Sequence, residues 1–173
     1  MQSVQNFQIL FMNSAEKLPE RKPTRLKYFD YSSPGAYFVT VCTKNRQKLL
    51  SRIVVGEGLC ALPQNELTHI GIITEDAVKY INENVEGVCI DKYVVMPNHI
   101  HMIIVLDDSG GRGNPPLQNV VGQLKSYTTK VYGNILWQRS FHDHIIRDKK
   151  DYEKIWKYID ENVLNWDKDC FYI

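Results

Sequence analysis

Long hydrophobic runs are missing from this chain: no stretch approaches the roughly 18 consecutive apolar residues of a membrane span. The opening "MQSVQNFQILFMNSAEKLPERKP" also lacks the basic start and small-residue cleavage site of a secretory signal. A cytoplasmic protein with no membrane partner is therefore expected. Cysteine is sparse. Cys42, Cys60, Cys89 and Cys170 are scattered with no C-x-x-C pair, which argues against a zinc knuckle and against a disulfide framework. An excess of one charge is missing too, with 21 basic against 20 acidic residues, so global composition does not announce a nucleic-acid binder. Local basic clusters exist all the same: "ERKPTRLK" (20–27), Lys125 with Lys130, and Arg139, Arg147, Lys149 and Lys150. Each can meet phosphates, or simply be solvated surface.

What is present is enough apolar and aromatic material, 43% and 11% of 173 residues, to bury one real core. Residues 1–21 show no sustained period and read as a flexible arm, leaving 22–173 as a single domain. "AYFVTVCT" (36–43) is β-branched and aromatic and reads as a strand. Residues 54–73 suggest short strands around a Pro/Asn turn. A helix is expected over 74–87, capped by Thr74, with Val78, Ile81 and Val85 as its stripe. Two strand-like runs follow, "VCIDKYVVM" and "HIHMIIVL", joined by the turn pair Pro97–Asn98. A loop (107–116) leads to a helix over 117–133, whose stripe is Leu117, Val120, Val121, Leu124, Thr128 and Val131 and whose C-cap is Gly133. A short strand (141–147) and a last helix (148–166) complete the chain. Asp148 caps that helix, and Tyr152, Ile155, Trp156, Ile159, Val163 and Trp166 are apolar along it. This order describes an α+β, ferredoxin-like antiparallel sheet with helices on one face and an additional C-terminal helix.

Alternation along a strand sends Ile100, Met102, Ile104 and Leu106 to one face and His99 and His101 to the other. The two imidazoles then start from Cα atoms about 6.5–7 Å apart, close enough to converge on one metal ion. The plainer alternative is a pair of surface histidines on an exposed sheet face. A second H-x-H pair, His142 and His144, lies in "FHDHII". On the last helix, taking Tyr152 as zero and about 100° per residue, Tyr158 and Asn162 fall on one edge of the apolar stripe and stack one turn apart. That edge would lie at a packing seam, where a hydroxyl and an amide oxygen can sit beside a metal. A ring packed with its hydroxyl wet is the ordinary alternative, and Tyr127 occupies a similar border on its own helix.

"YVVMPNHIHMIIV", "VGQLKSYTTKV" and "LWQRSFHDHIIRDKKDYEKIWKYIDEN", together with the entry "RLKYFDYSSPGAYFVTVCTKN", resemble the single-tyrosine HUH transposases, most closely the REP-associated tyrosine transposases and their insertion-sequence relatives. The likeness spans roughly residues 22–166. It implies that His99 and His101 are metal ligands, that Tyr158 is the nucleophile and that Asn162 is an amide-type third ligand. Val163 stands where relatives often have proline and Tyr28 where glycine is common, departures that bear on the subfamily.

The activity implied is nicking and strand transfer of single-stranded DNA carrying a hairpin or palindromic element, through a 5′-phosphotyrosine. The implied cofactor is Mg²⁺ or Mn²⁺, while ligand type alone suits Zn²⁺ equally. Lys125, Arg139 and Arg147 are candidates for DNA backbone contacts, and His144 for a supporting group behind the site. Relatives include monomers and homodimers. Two other classes compete: a non-catalytic single-stranded nucleic-acid-binding module on the same sheet, and a metal-dependent hydrolase with no protein-linked intermediate.

Overall fold

The computed structural model describes residues 28–56, 62–107 and 115–172. The expected arm, the basic cluster 20–27 and most of the loop after Asp107 lie outside them. Four strands, β1 (Gly35–Cys42), β4 (Val88–Met96), β5 (His99–Leu106) and β6 (His142–Ile146), form one sheet in the order β4-β5-β1-β6, each neighbour antiparallel. A separate ribbon pairs β2 (Ser51–Val55) with β3 (Pro63–Leu67). Three helices complete the fold: α1 (His69–Asn84), α2 (Leu117–Tyr132) and α3 (Lys149–Glu161). This is the expected ferredoxin-like α+β arrangement.

The sheet is buried on both faces. Ile100, Met102, Ile104 and Leu106 join Val78 and Ile81 of α1 and Val120, Val121 and Leu124 of α2 in the main core. Ile103, between them on β5, packs instead against Ile155 and Ile159 of α3. Period-two alternation thus puts α1 and α2 on one face and α3 on the other. Truncating Ile100 or Met102 to Ala would cost about 2–5 kcal/mol.

A bulge in β4 fastens α3. The register with β5 slips between Ile90 and Lys92, so Asp91 and Lys92, though consecutive, both serve the α3 side. Tyr152 donates to the Asp91 carboxylate. Lys92 reaches Asp160 at 2.5 Å and lies 4.9 Å from the centre of the Trp156 ring.

Helix α1 differs from the sequence expectation. It begins five residues earlier, capped by Thr68, whose hydroxyl accepts from Gly71 N at 3.1 Å. Thr74 lies inside the helix, buried, donating to Ile70 O at 2.8 Å. The apolar run "HIGII" imitates a strand, but Gly71 is there for a close approach: a Cβ on it would stand 1.9 Å from the Leu50 carbonyl oxygen. The Pro63–Asn65 stretch is part of strand β3 rather than a turn.

Helix α2 ends as expected, with Gly133 left-handed at φ 76°, although Val131 is exposed rather than part of the buried stripe. Helix α3 starts on the Asp148 cap but stops at Glu161, short of the expected 166. Beyond it the chain turns back through a 3₁₀ turn (Trp166–Lys168). Asn165 helps end the helix by bonding Glu161 O through both its backbone and its side chain. Tyr28, where relatives often have glycine, adopts φ 75°, the left-handed region that glycine enters freely.

Candidate active site

Strand β5 delivers both imidazoles to the α3 face. They are not surface groups: His99 is 0% exposed and His101 1%, with ring centroids 4.3 Å apart. Asn98, in the tight turn before β5, fixes the first ring. Its amide nitrogen donates to Phe171 O at 2.8 Å, so its oxygen faces His99 and accepts from Nδ1 at 2.9 Å. The Nε2 of His99 is therefore the unprotonated nitrogen, and it is buried with no hydrogen-bond partner. Thr40, directly opposite His101 on β1, holds the second ring through a 2.8 Å bond between its hydroxyl and Nδ1. Burial, reinforced by the neighbouring imidazole, pulls the pKa of His99 down to about 3 against the opposing pull of Asp169. Burial likewise lowers that of His101, with Asp169 again opposing. Both rings are neutral at pH 7, the form that offers a lone pair.

Helix α3 brings Tyr158 to the same spot. Its hydroxyl is 3.2 Å from His101 Nε2 and donates to Asp169 Oδ2 at 3.0 Å. Asn162, one turn on and 3% exposed, donates its amide to the same carboxylate oxygen at 2.8 Å, while its own Oδ1 is buried without a partner. Burial raises the phenol's pKa, and the charge and hydrogen bond of Asp169 raise it further, so Tyr158 keeps its proton at neutral pH in this arrangement. For Asp169 burial works upward, but the imidazole of His101, 3.8 Å away, and hydrogen bonds from the Phe171 N–H and Asn162 outweigh it and hold the carboxyl below its ordinary range.

The ligand atoms of His99, His101 and Asp169 lie within 4.8 Å of one another. Two neutral imidazoles, one of them with an unpartnered Nε2, a carboxylate and the unpartnered Asn162 Oδ1 fit a divalent cation, which would satisfy the lone pairs that burial leaves bare. The segment after α3 roofs the pair. Phe171 lies 4.7 Å from His99 and 5.8 Å from His101, and Trp166 lies 5.9 Å from His99, all between ring centroids. Arg46 anchors this roof, with its guanidinium over the Phe171 ring at 5.3 Å and a 3.4 Å bond to Cys170 O. Beside Tyr158, itself 40% exposed, a recess of about 260 Å³ opens between Asn162 and Lys168.

The other candidates lie elsewhere. Tyr127 lines a groove between α2 and α1, across the sheet from the histidines. The Lys125 ammonium is committed to the carbonyls of Gln138 and Arg139, at 2.6 and 3.1 Å. Arg139 borders a groove beside it, and Arg147 is exposed at the end of β6. His144 bonds Asp151 at 2.7 Å, tying β6 to the first turn of α3 rather than to the imidazoles.

Sequence reasoning missed Asp169, Phe171 and the roofing role of Trp166. No spacing signals them, because they lie beyond the last periodic helix. Thr40 was findable in principle, as the inward-facing polar residue of an apolar strand.

No family model matches the chain. An uncharacterized protein from Haemophilus influenzae is 33% identical over 175 residues, an alignment covering 88% of this chain and 93% of that protein. Among solved structures, a REP-associated tyrosine transposase bound to a REP hairpin matches with a TM-score of 0.59 at 24% identity, over 82% of this chain and 72% of that one.

Proposed function

We propose, for a chain that belongs to one family with the Haemophilus influenzae protein and has the fold of the tyrosine transposase, that it cuts and rejoins single-stranded DNA through a covalent bond to Tyr158. The observation that carries this reading is the Tyr158 hydroxyl 3.2 Å from His101 Nε2, in a buried cluster whose His99 Nε2 and Asn162 Oδ1 have no partner. His99, His101 and Asn162 would hold a divalent cation, with Asp169 as a charged oxygen beside them. Two nitrogen donors favour Mn²⁺ over Mg²⁺. When bound, the cation supplies positive charge to the non-bridging oxygens of the scissile phosphate.

The phenol oxygen attacks phosphorus and gives its proton to solvent, while the bond from phosphorus to the 3′ oxygen breaks and that oxygen takes a proton from solvent. The products are a 5′-phosphotyrosine and a 3′-hydroxyl. One ester replaces another, so a second 3′-hydroxyl can reverse the step and join strands without ATP. Lys168, at the mouth of the recess, is placed to attract the phosphate. Tyr158 meets an imidazole of its own chain, so the site we propose is completed in cis. By analogy with the hairpin held by the tyrosine transposase, a DNA hairpin with unpaired flanks is the expected substrate.

A second reading, a non-catalytic single-stranded DNA-binding module, is favoured by one observation: Phe171 and Trp166 cover the imidazoles while Tyr158 keeps its proton. Incubating the full chain with a labelled hairpin oligonucleotide and Mn²⁺, then running a denaturing gel, separates the two. Strand transfer gives a shifted protein–DNA band that Tyr158→Phe removes and Tyr127→Phe retains. Binding by fluorescence anisotropy with no shifted band would leave the module.

A further inference from the structure

A groove of about 720 Å³ runs between the β2–β3 ribbon and the segment that follows α3. It is lined by Lys48, Ser51, Arg52, Trp166, Asp167 and Tyr172, among others. Resting on the strand-transfer reading, we propose that this groove binds one unpaired nucleotide of the DNA strand, next to the bond that is cut.

Four observations converge on that occupant. The first is position: Trp166 is shared, lying 5.9 Å from His99 on the catalytic side while lining the groove on the other. The Trp166 ring thus stands between the imidazoles and the groove, and a strand whose phosphate reaches His99 and His101 can send its neighbouring nucleotide toward this space. The second is aromatic surface. Tyr172, half exposed, meets Trp166 edge-on at 5.3 Å and presents its ring to the groove, where any base can stack regardless of sequence.

The third is charge. Lys48 and Arg52 outnumber the single acid, Asp167, although the chain as a whole is almost neutral. Lys48 sits over the Tyr172 ring at 5.4 Å, so cation and stacking platform are already assembled. A backbone phosphate beside a stacked base needs this pairing. Asp167 can accept from the amino edge of that base. The fourth is an unmet hydrogen bond: Ser51 is 1% exposed, lines the groove, and its hydroxyl has no partner. A buried hydroxyl left alone is costly, and a base edge or sugar oxygen entering the groove would satisfy it.

The test uses the full chain and fluorescence anisotropy with two labelled probes, a DNA hairpin bearing a single-stranded flank and the same hairpin without it. Arg52→Ala and Tyr172→Ala should each weaken binding of the flanked hairpin about tenfold and leave the bare hairpin unchanged. Tyr172→Phe, which keeps the ring, should restore affinity. Both positions are exposed, and an unchanged thermal midpoint confirms that the variants fold. The proposal is overturned if the variants bind the flanked hairpin as the wild type does, or lose both probes equally. A wild-type covalent band alongside variants of unaltered affinity would sink the groove and spare the strand-transfer reading. If the wild type binds neither probe and gives no band, both fall together.

Discussion

The hydroxyl of Tyr158 touches the ring of His101 across 57 residues of sequence, at 3.2 Å from Nε2. That contact depends on three separate devices: β5 turning His101 away from the main core, the β4 bulge fastening α3 to the sheet, and Asp169 drawing the phenol inward.

If the phenol is the nucleophile, Tyr158→Phe removes one oxygen and no packing. The covalent DNA band should fall below detection, by at least about a thousandfold in rate, while hairpin affinity changes by no more than about twofold. Quenched time courses with Mn²⁺ and anisotropy titrations on the same preparation measure the two quantities.

Thr40 is not among the proposed metal ligands, yet it orients His101 through Nδ1. Thr40→Val keeps the shape and removes that bond. Mn²⁺ affinity, measured by titration calorimetry, should drop about 10-fold to 100-fold, as is usual when the group behind a histidine ligand is lost. His99→Ala should abolish measurable binding. An apoprotein prepared with EDTA should form no covalent band until Mn²⁺ is restored.

The buried imidazoles also make stability depend on pH. His99 has its folded-state pKa pulled down to about 3, below the unfolded value near 6.5, so the unfolded chain binds the proton more readily. The stabilisation is therefore complete above about pH 6.5 and is lost as the solution is acidified toward pH 3, with a slope of up to about 1.4 kcal/mol per pH unit for this one group. Urea denaturation of the metal-free protein at pH 7 and pH 5 should show the loss. His99→Gln should reduce the loss, leaving the part that His101 contributes.

Gly71→Ala should be among the most damaging single substitutions in the chain. The new methyl would stand 1.9 Å from the backbone oxygen of Leu50, and that carbonyl also accepts from Thr68 N and cannot move freely. A loss of about 3 kcal/mol or more in urea denaturation is expected, and a loss under 1 kcal/mol would show that the start of α1 yields.

Much of this was legible in the sequence where periodicity speaks. The alternation of "HIHMIIVL" assigns the main core face of β5 and sends both histidines to the other, and the Tyr158–Asn162 spacing sets two polar groups on one edge of α3. Periodicity misleads where an apolar run has a second cause. "HIGII" looks like a strand although Gly71 serves a close backbone approach in a helix, and Trp166 continues the α3 pattern although the helix has already ended. Asp169 and Phe171 escape altogether, because a residue brought in by a turn has no period to betray it. Lys125 shows the limit of reading charge: its ammonium is occupied by two carbonyls, which no count of basic residues reveals.

The roof over the histidines belongs to no sheet and is held to the rest of the chain by a few bonds, from Asn98, Arg46, Tyr158 and Asn162. Segments of that kind open at far lower free energy than the strands beneath them. Backbone amides around Phe171 should consequently trade their hydrogens for deuterium well before those of Ile100 and Met102. Exposing the imidazoles would then take only a local fluctuation of this segment, with the sheet that carries them left intact.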